Sequence, residues 1–241
     1  MPLPPLFERT HILLGDEGIE RLRGARVFLA GLGGVGSFDA EALARAGVGK
    51  LTLVDHDVVA ASNLNRQLPA LRSTVGRKKV EVIAGRIRDI NPECELTLID
   101  RFLRVEDMPE VLADGFDYVV DAIDSLNSKV GLVVTAYEMG LPVASSMGAG
   151  GKLDPTRIQV GDVMDTDICA LARHMRKRLK KRGVGRGVLA VWSTEPGHPP
   201  LPPEPTGQGR DRAVNGTISY MPALFGLTLA GSVIQRLVAE R

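Results

Sequence analysis

Residues 26–37 read RVFLAGLGGVGS. Arg26–Gly31 is a short apolar run rich in β-formers, and Gly33, Gly34 and Gly36 follow at once. From Val35 to Ala46 the apolar residues return with helical spacing, placing Ala40, Leu43 and Ala44 on one face. Glycines permit a tight turn and let backbone N–H groups approach a phosphate, and the N-terminus of the following helix adds partial positive charge. Working outward, Lys50–Val54 (KLTLV) reads as a second strand. Asp55 ends it nineteen residues after Gly36, where a carboxylate would take ribose hydroxyls. Strand, glycine turn, helix and acid at this spacing predict a nucleotide site. A glycine-rich packing turn would leave Asp55 unexplained.

The alternation continues. Val75–Ile90 reads as a helix, Glu95–Ile99 and Tyr118–Ala122 as strands, Ser125–Gly140 as a helix and Pro142–Ser145 as a strand. This pattern predicts an α/β fold: a doubly wound, mostly parallel sheet with helices on both faces. The last third differs. Arg157–Val163 and Val188–Ser193 look like strands around a basic helical stretch, Ile168–Arg182. Pro196–Pro205 holds six prolines in ten residues and, with Gly207–Asp211, is expected to form a mobile loop without regular structure. Ile218–Ile234 runs seventeen residues without a charge. Pro222, Gly226 and Gly231 weaken a membrane-span reading, so a core or dimer-interface helix is expected there. Residues 1–163 are read as a nucleotide-binding core, and 164–241 as a region completing the same domain.

Composition bounds the function. Thirty Lys+Arg against twenty-nine Asp+Glu leave +1, which excludes a wholesale nucleic-acid coat but not a local basic patch. Aromatics are only 4%, too few for an oligonucleotide groove built from stacked rings. Two cysteines, Cys94 and Cys169, exclude a disulfide framework and a four-cysteine zinc site. A reducing, cytoplasmic setting fits this cysteine usage, and residues 1–14 do not read as a signal peptide.

The glycine turn does not say which nucleotide binds. Ser62-Asn63-Leu64-Asn65-Arg66-Gln67 follows Asp55 and Asp57, Lys79 sits on the next helix, and Asp124 follows the fourth strand. Strand ends converge on one crevice in a doubly wound sheet. There Arg66 and Lys79 would neutralise a triphosphate, and Asp124 would hold Mg²⁺. Taken singly, each has an ordinary reading: an exposed loop charge, a solvated helix face and a helix N-cap.

In order, GLGGVGS, LVDHD, SNLNRQ, VGRKKVE, INPE and VVDAIDS resemble the ubiquitin-activating-enzyme-like superfamily of ATP-dependent adenylyltransferases over roughly Arg9 to Ser146. The resemblance implies a Rossmann-like core that binds ATP and Mg²⁺, adenylates a carboxylate and releases pyrophosphate. It assigns Gly31, Gly33, Gly34 and Gly36 to the phosphate loop and Asp55 to the ribose, with Asp57 beside it. Asn63, Arg66 and Lys79 would contact the triphosphate, and Asp124 the metal. Arg9 resembles an arginine that reaches into a partner subunit, which implies a homodimer. The sulfur-carrier branch usually carries two C-x-x-C pairs, absent here. Gly148–Gly151, Asp154–Val160, the basic helix and Trp192–Glu195 instead resemble the branch that dehydrates threonylcarbamoyladenosine in tRNA, some members of which imply sulfur-relay partners.

A tRNA substrate needs cations, and Arg173–Arg186 holds eight Lys/Arg and no acid. Arg173, Arg176, Lys177, Arg178, Lys180, Lys181 and Arg182 are the expected phosphate contacts, against the plainer reading of a solvated helix face. The competing function is activation of the C-terminal carboxylate of a ubiquitin-like or sulfur-carrier protein. An ATP-binding scaffold without turnover and an NAD-dependent oxidoreductase are the remaining alternatives.

Overall fold

The branched and aromatic residues of Arg26–Ala30 (β1) are buried from Val27 onward, as a strand covered on both faces requires. In the computed structural model, which describes residues 3–204 and 212–239, β1 is the third strand of a seven-stranded sheet. Its neighbours are Lys50–Val54 (β2) and Tyr118–Asp121 (β4). Beyond β2 lies Glu95–Ile99 (β3). Beyond β4 lie Val143–Ser146 (β5), Val188–Ser193 (β7) and, at the far edge, Ile158–Asp162 (β6). All pairs are parallel except β6 with β7. The expected α/β, doubly wound architecture is therefore present.

Register positions the site. Ala30 lies opposite Val54 on one side and Asp121 on the other, and Val54 lies opposite Ile99. The strands end level, so the residues after each emerge side by side. Chain order also reverses between β1 and β4, and the crevice of such a sheet opens at that reversal.

Helices cover both faces. Glu8–Gly24 (α1), Gly36–Ala46 (α2), Lys79–Ile90 (α3) and Tyr220–Val238 (α7) bury one core. Met108–Leu112 (α4), Leu126–Glu138 (α5) and Ala170–Lys181 (α6) bury the other. The sequence pattern announces no helix before β1. α1 is broken at Gly15 (φ 66°), and Ile12 and Leu13 stay exposed, so its apolar stripe is short. α3 starts at Lys79 rather than near Val75, because Gly76 is left-handed and Lys78 bridges to Val58.

In the proline-rich stretch, residues 196–200 carry no regular structure, as expected, but residues 201–204 depart from expectation. Leu201–Glu204 (β8) pairs antiparallel with Arg212–Val214 (β9), with an irregularity in the register between Leu201 and Glu204. Prolines are tolerated on such an edge ribbon, where missing N–H groups cost little. The rest of that expectation, residues 205–211, lies outside the described residues. α7 is long and apolar enough to cross a membrane by length and composition. Its Met221, Phe225, Leu229 and Val233, spaced four apart, are nevertheless fully buried in the first core.

Asp39, in the first turn of α2, breaks the pattern. It is fully buried, and neither carboxylate oxygen has a partner among the described residues. Burial drives its carboxyl well above the ordinary value. Below the unfolded carboxyl value, about 4, the group is neutral in both states and imposes no ionic penalty. The penalty grows as pH rises from there towards the folded value. Asp39→Ala is expected to stabilise the fold at pH 7.5 by about 1–3 kcal/mol, the usual cost of an unpaired buried polar group. Denaturant titration checks this, and the gain should shrink when repeated at pH 5.

Candidate functional site

At the level ends of β1 to β4 the chain forms a cleft of about 310 Å³, in the range of ligand pockets. It is lined by Gly31, Gly33, Gly34, Asp55, Asp57, Arg66, Lys79 and Asp124 from the expected set. Residues not assigned to the site beforehand complete it, among them Gln67, Arg101, Phe102, Gly150 and Pro222. Gln67 stood in the quoted SNLNRQ segment. Arg101 and Phe102 follow β3, whose end was readable as another strand tip. Gly150 and Pro222 enter from distant sequence through tertiary packing.

The glycines of the turn differ in what they do. A Cβ on Gly31, whose φ is 92°, would sit 2.6 Å from the Ala122 carbonyl oxygen, and one on Gly36 would run into the Gly31 carbonyl. A Cβ on Gly34 would meet Pro222 at 2.9 Å. Gly33 has only the Gln67 amide nitrogen nearby, at 3.8 Å, so its face opens to the cleft. Three glycines therefore permit close packing and one leaves room for a ligand.

Asp55 is held from both sides. Its Oδ2 accepts the Leu32 N–H at 2.6 Å and its Oδ1 the Asp57 N–H at 2.8 Å. Each oxygen retains a lone pair for a ribose hydroxyl. Lys79 is buried, and its Nζ donates to Asp57 Oδ2 at 2.7 Å. Burial works to raise the Asp57 carboxyl, but the hydrogen bond and charge of Lys79, aided by His56 and Lys78, bring it below its ordinary value. The Lys79 ammonium keeps two further protons to donate. Arg66 is steadied by the Ser62 carbonyl at 2.9 Å and by Asn65 Oδ1 at 2.8 Å.

Asp124 is exposed and has no hydrogen-bond or ion-pair partner among the described residues. Ser125, not Asp124, occupies the N-cap of α5, without a side-chain bond. A free carboxylate beside a phosphate cradle suits Mg²⁺, which takes one or two carboxylates together with phosphate oxygens. Asp55, His56 and Asp57 also bring ligand atoms within 4.8 Å of one another. There, however, Asp55 already accepts two amides and Asp57 the Lys79 ammonium.

Other expected residues lie elsewhere. Gly36 acts beneath the turn and does not line the cleft. Asn63 is outside the lining as well, because its Oδ1 caps its own 3₁₀ turn by accepting the Ala60 N–H at 3.1 Å. Arg9 is exposed on α1, away from this cleft. On α6, Arg173, Lys177, Lys180 and Lys181 are exposed, as is Arg182 just beyond it. Arg176 instead holds Thr166 through both its carbonyl and hydroxyl oxygens. Arg178 donates to Asn127 Oδ1, three residues beyond Asp124, so α6 stands beside the cleft wall. Neither cysteine is exposed. Burial, with the Glu95 charge adding, pushes the Cys94 thiol up to about 11, far from a thiolate at neutral pH.

The whole arrangement has known counterparts. The ThiF family matches residues 7–241, and the chain belongs to it. Among its relatives, the tRNA threonylcarbamoyladenosine dehydratase of Bacillus subtilis is 40% identical, covering 97% of this chain and 95% of that protein. The Escherichia coli enzyme of the same name is 43% identical over 78% of this chain and 73% of its own length. The crystal structure of the E. coli enzyme in complex with ATP superposes with a TM-score of 0.85 at 38% identity, covering 96% and 93% of the two chains. A molybdopterin-synthase adenylyltransferase from Salmonella typhimurium is 39% identical, but over only 58% of this chain and 56% of its own.

The glycine geometry separates binding from folding. Gly33→Ala is expected to melt like the parent protein and to weaken ATP binding by about tenfold, roughly 1.4 kcal/mol. Gly36→Ala is expected to lower the melting temperature outright. Calorimetric ATP titration beside thermal melts of both variants checks the distinction.

Proposed function

We propose that this chain is a cytoplasmic enzyme that uses ATP to dehydrate N6-threonylcarbamoyladenosine in tRNA. One observation carries the choice of substrate. The Bacillus subtilis relative bearing that activity's name matches over 97% of this chain, whereas a molybdopterin-synthase adenylyltransferase matches over 58%. The absence of paired C-x-x-C motifs and the basic helix, whose Arg178 reaches Asn127 in the first turn of α5, support the same reading.

The reaction needs no enzyme nucleophile. The substrate carboxylate attacks the α-phosphorus of ATP, the bond to the bridging oxygen of the β-phosphate breaks, and pyrophosphate leaves. The acyl carbon is then joined to AMP. The nucleoside's own ureido group attacks that carbon and gives up a proton. AMP departs with the former carboxylate oxygen, so the nucleoside ends one water lighter. The second step is intramolecular and gains from proximity.

The chain's part is to bind and orient. The Gly31 and Leu32 amides are taken by Val54 and Asp55, so the amides from Gly33 to the α2 N-terminus would face the phosphates, and Asp55 would take the ribose. Arg66 and the free protons of Lys79 neutralise phosphate charge where pyrophosphate separates. Asp124 would hold Mg²⁺, which when bound supplies positive charge at the phosphate oxygens. Arg9, exposed beside the apolar Ile12 and Leu13, would enter the cleft of a second copy in a homodimer.

Mass spectrometry of tRNA nucleosides from cells lacking the protein tests the function. Loss of the lighter, cyclised nucleoside with the uncyclised form left behind is expected. An unchanged nucleoside profile would refute the proposal. Reversing Lys177, Lys180, Lys181 and Arg182 to Glu is expected to weaken tRNA binding and flatten its salt dependence by about one unit of slope per lost contact, with ATP affinity intact. Filter binding across a salt series reads both.

A further inference from the structure

Behind the cleft wall lies a polar cluster with no place in the chemistry above. Lys129, on α5, is 1% exposed, and Asp121, the last residue of β4, is fully buried. The Lys129 Nζ donates to Asp121 Oδ2 at 2.7 Å, to Ser145 Oγ at 3.3 Å and to the Ser146 carbonyl at 2.8 Å. Its three protons thus meet three acceptors on two adjacent strands. Ser145 Oγ donates to Asp121 Oδ2 at 2.5 Å, and the other Asp121 oxygen accepts the Ile123 N–H at 3.1 Å. That last bond fixes the turn Ala122–Ile123–Asp124. The same turn is pinned on its other side, where the Ala122 N–H donates to the Ala30 carbonyl at 2.9 Å and Gly31 packs on the Ala122 carbonyl.

A lysine–aspartate pair is an expensive way to fill this space. A buried pair replaced by apolar groups of similar size is often no less stable. What apolar groups cannot do is hold the Ile123 N–H, and with it the direction in which Asp124 leaves the strand. We propose that Lys129 is a positioning residue: with Asp121 and Ser145 it sets the Ala122–Asp124 turn so that the Asp124 carboxylate faces the phosphate cradle. This assignment rests on the metal role given to Asp124 under Proposed function.

The test reads metal binding rather than turnover. Mn²⁺ is titrated into the full-length protein with ATP and no tRNA, followed by electron paramagnetic resonance, beside thermal melts. Asp124→Asn is expected to weaken Mn²⁺ binding by tenfold or more. The volume-conserving double variant Asp121→Leu/Lys129→Met is expected to weaken it about as much, and to add nothing in the Asp124→Asn background. Ser145→Ala, the milder change, should fall between and decides the matter if the double variant does not fold. A purely structural cluster would lower the melting temperature and leave the Mn²⁺ affinity of the folded variants at the parent value, overturning the assignment. If Asp124→Asn itself leaves Mn²⁺ binding unchanged, the metal reading fails and the positioning role fails with it.

Discussion

Everything in the cleft depends on three parallel strands ending abreast. Ala30, Val54 and Asp121 are direct partners across the sheet. Neighbouring strands lie about 4.8 Å apart, so the three chain segments after them start within about 10 Å of one another. A slip of one residue would turn side chains to the opposite face and separate the glycine turn from Asp55 and Asp124. The buried apolar residues on both faces of β1 make such a slip costly. Site geometry here is therefore a consequence of core packing, and the loops inherit it.

Charge within the cleft follows a second rule: the two cations of the expected set, Lys79 and Arg66, are held in place before any ligand arrives. Lys79 leans on Asp57, and Arg66 on a carbonyl and an amide oxygen. A side chain already restrained loses less entropy when a phosphate comes, and a preorganised donor needs no rearrangement as charge develops. Asp124 contrasts with them, since it is exposed and has no partner among the described residues, which is why the proposed function gives it the cation.

Much of this was legible in residues 26–37 and their surroundings, because glycine spacing and strand periodicity are local signals. β2 and β3 fall where the pattern places them, and so does the acid at the end of β2. Three things were not legible, each for a physical reason. Asn63 sits in a motif beside Arg66, but its side chain caps its own turn, a choice made by local geometry that composition does not reveal. β8 is built from proline-rich sequence that propensity assigns to irregular loop, and only its pairing with β9 across a gap in sequence creates it. Arg176 and Arg178 look like any cation of a basic helix until tertiary contacts bind them to Thr166 and Asn127.

Two buried acids show how the same residue type serves opposite ends in one fold. Asp121 is satisfied on both oxygens by an ammonium, a hydroxyl and an amide, which offset part of the burial that still raises its carboxyl, and the group fixes backbone direction. Asp39, on α2 against the opposite face of the sheet, has no such compensation among the described residues. The difference lies in what the neighbouring elements offer. The end of β4 faces the polar rim of β5 and a lysine on α5, whereas the first turn of α2 faces Gly226 and the apolar stripe of α7. A fold can tolerate the second kind of burial out of surplus stability. It can build a site only around the first, because a carboxylate without partners holds nothing in place.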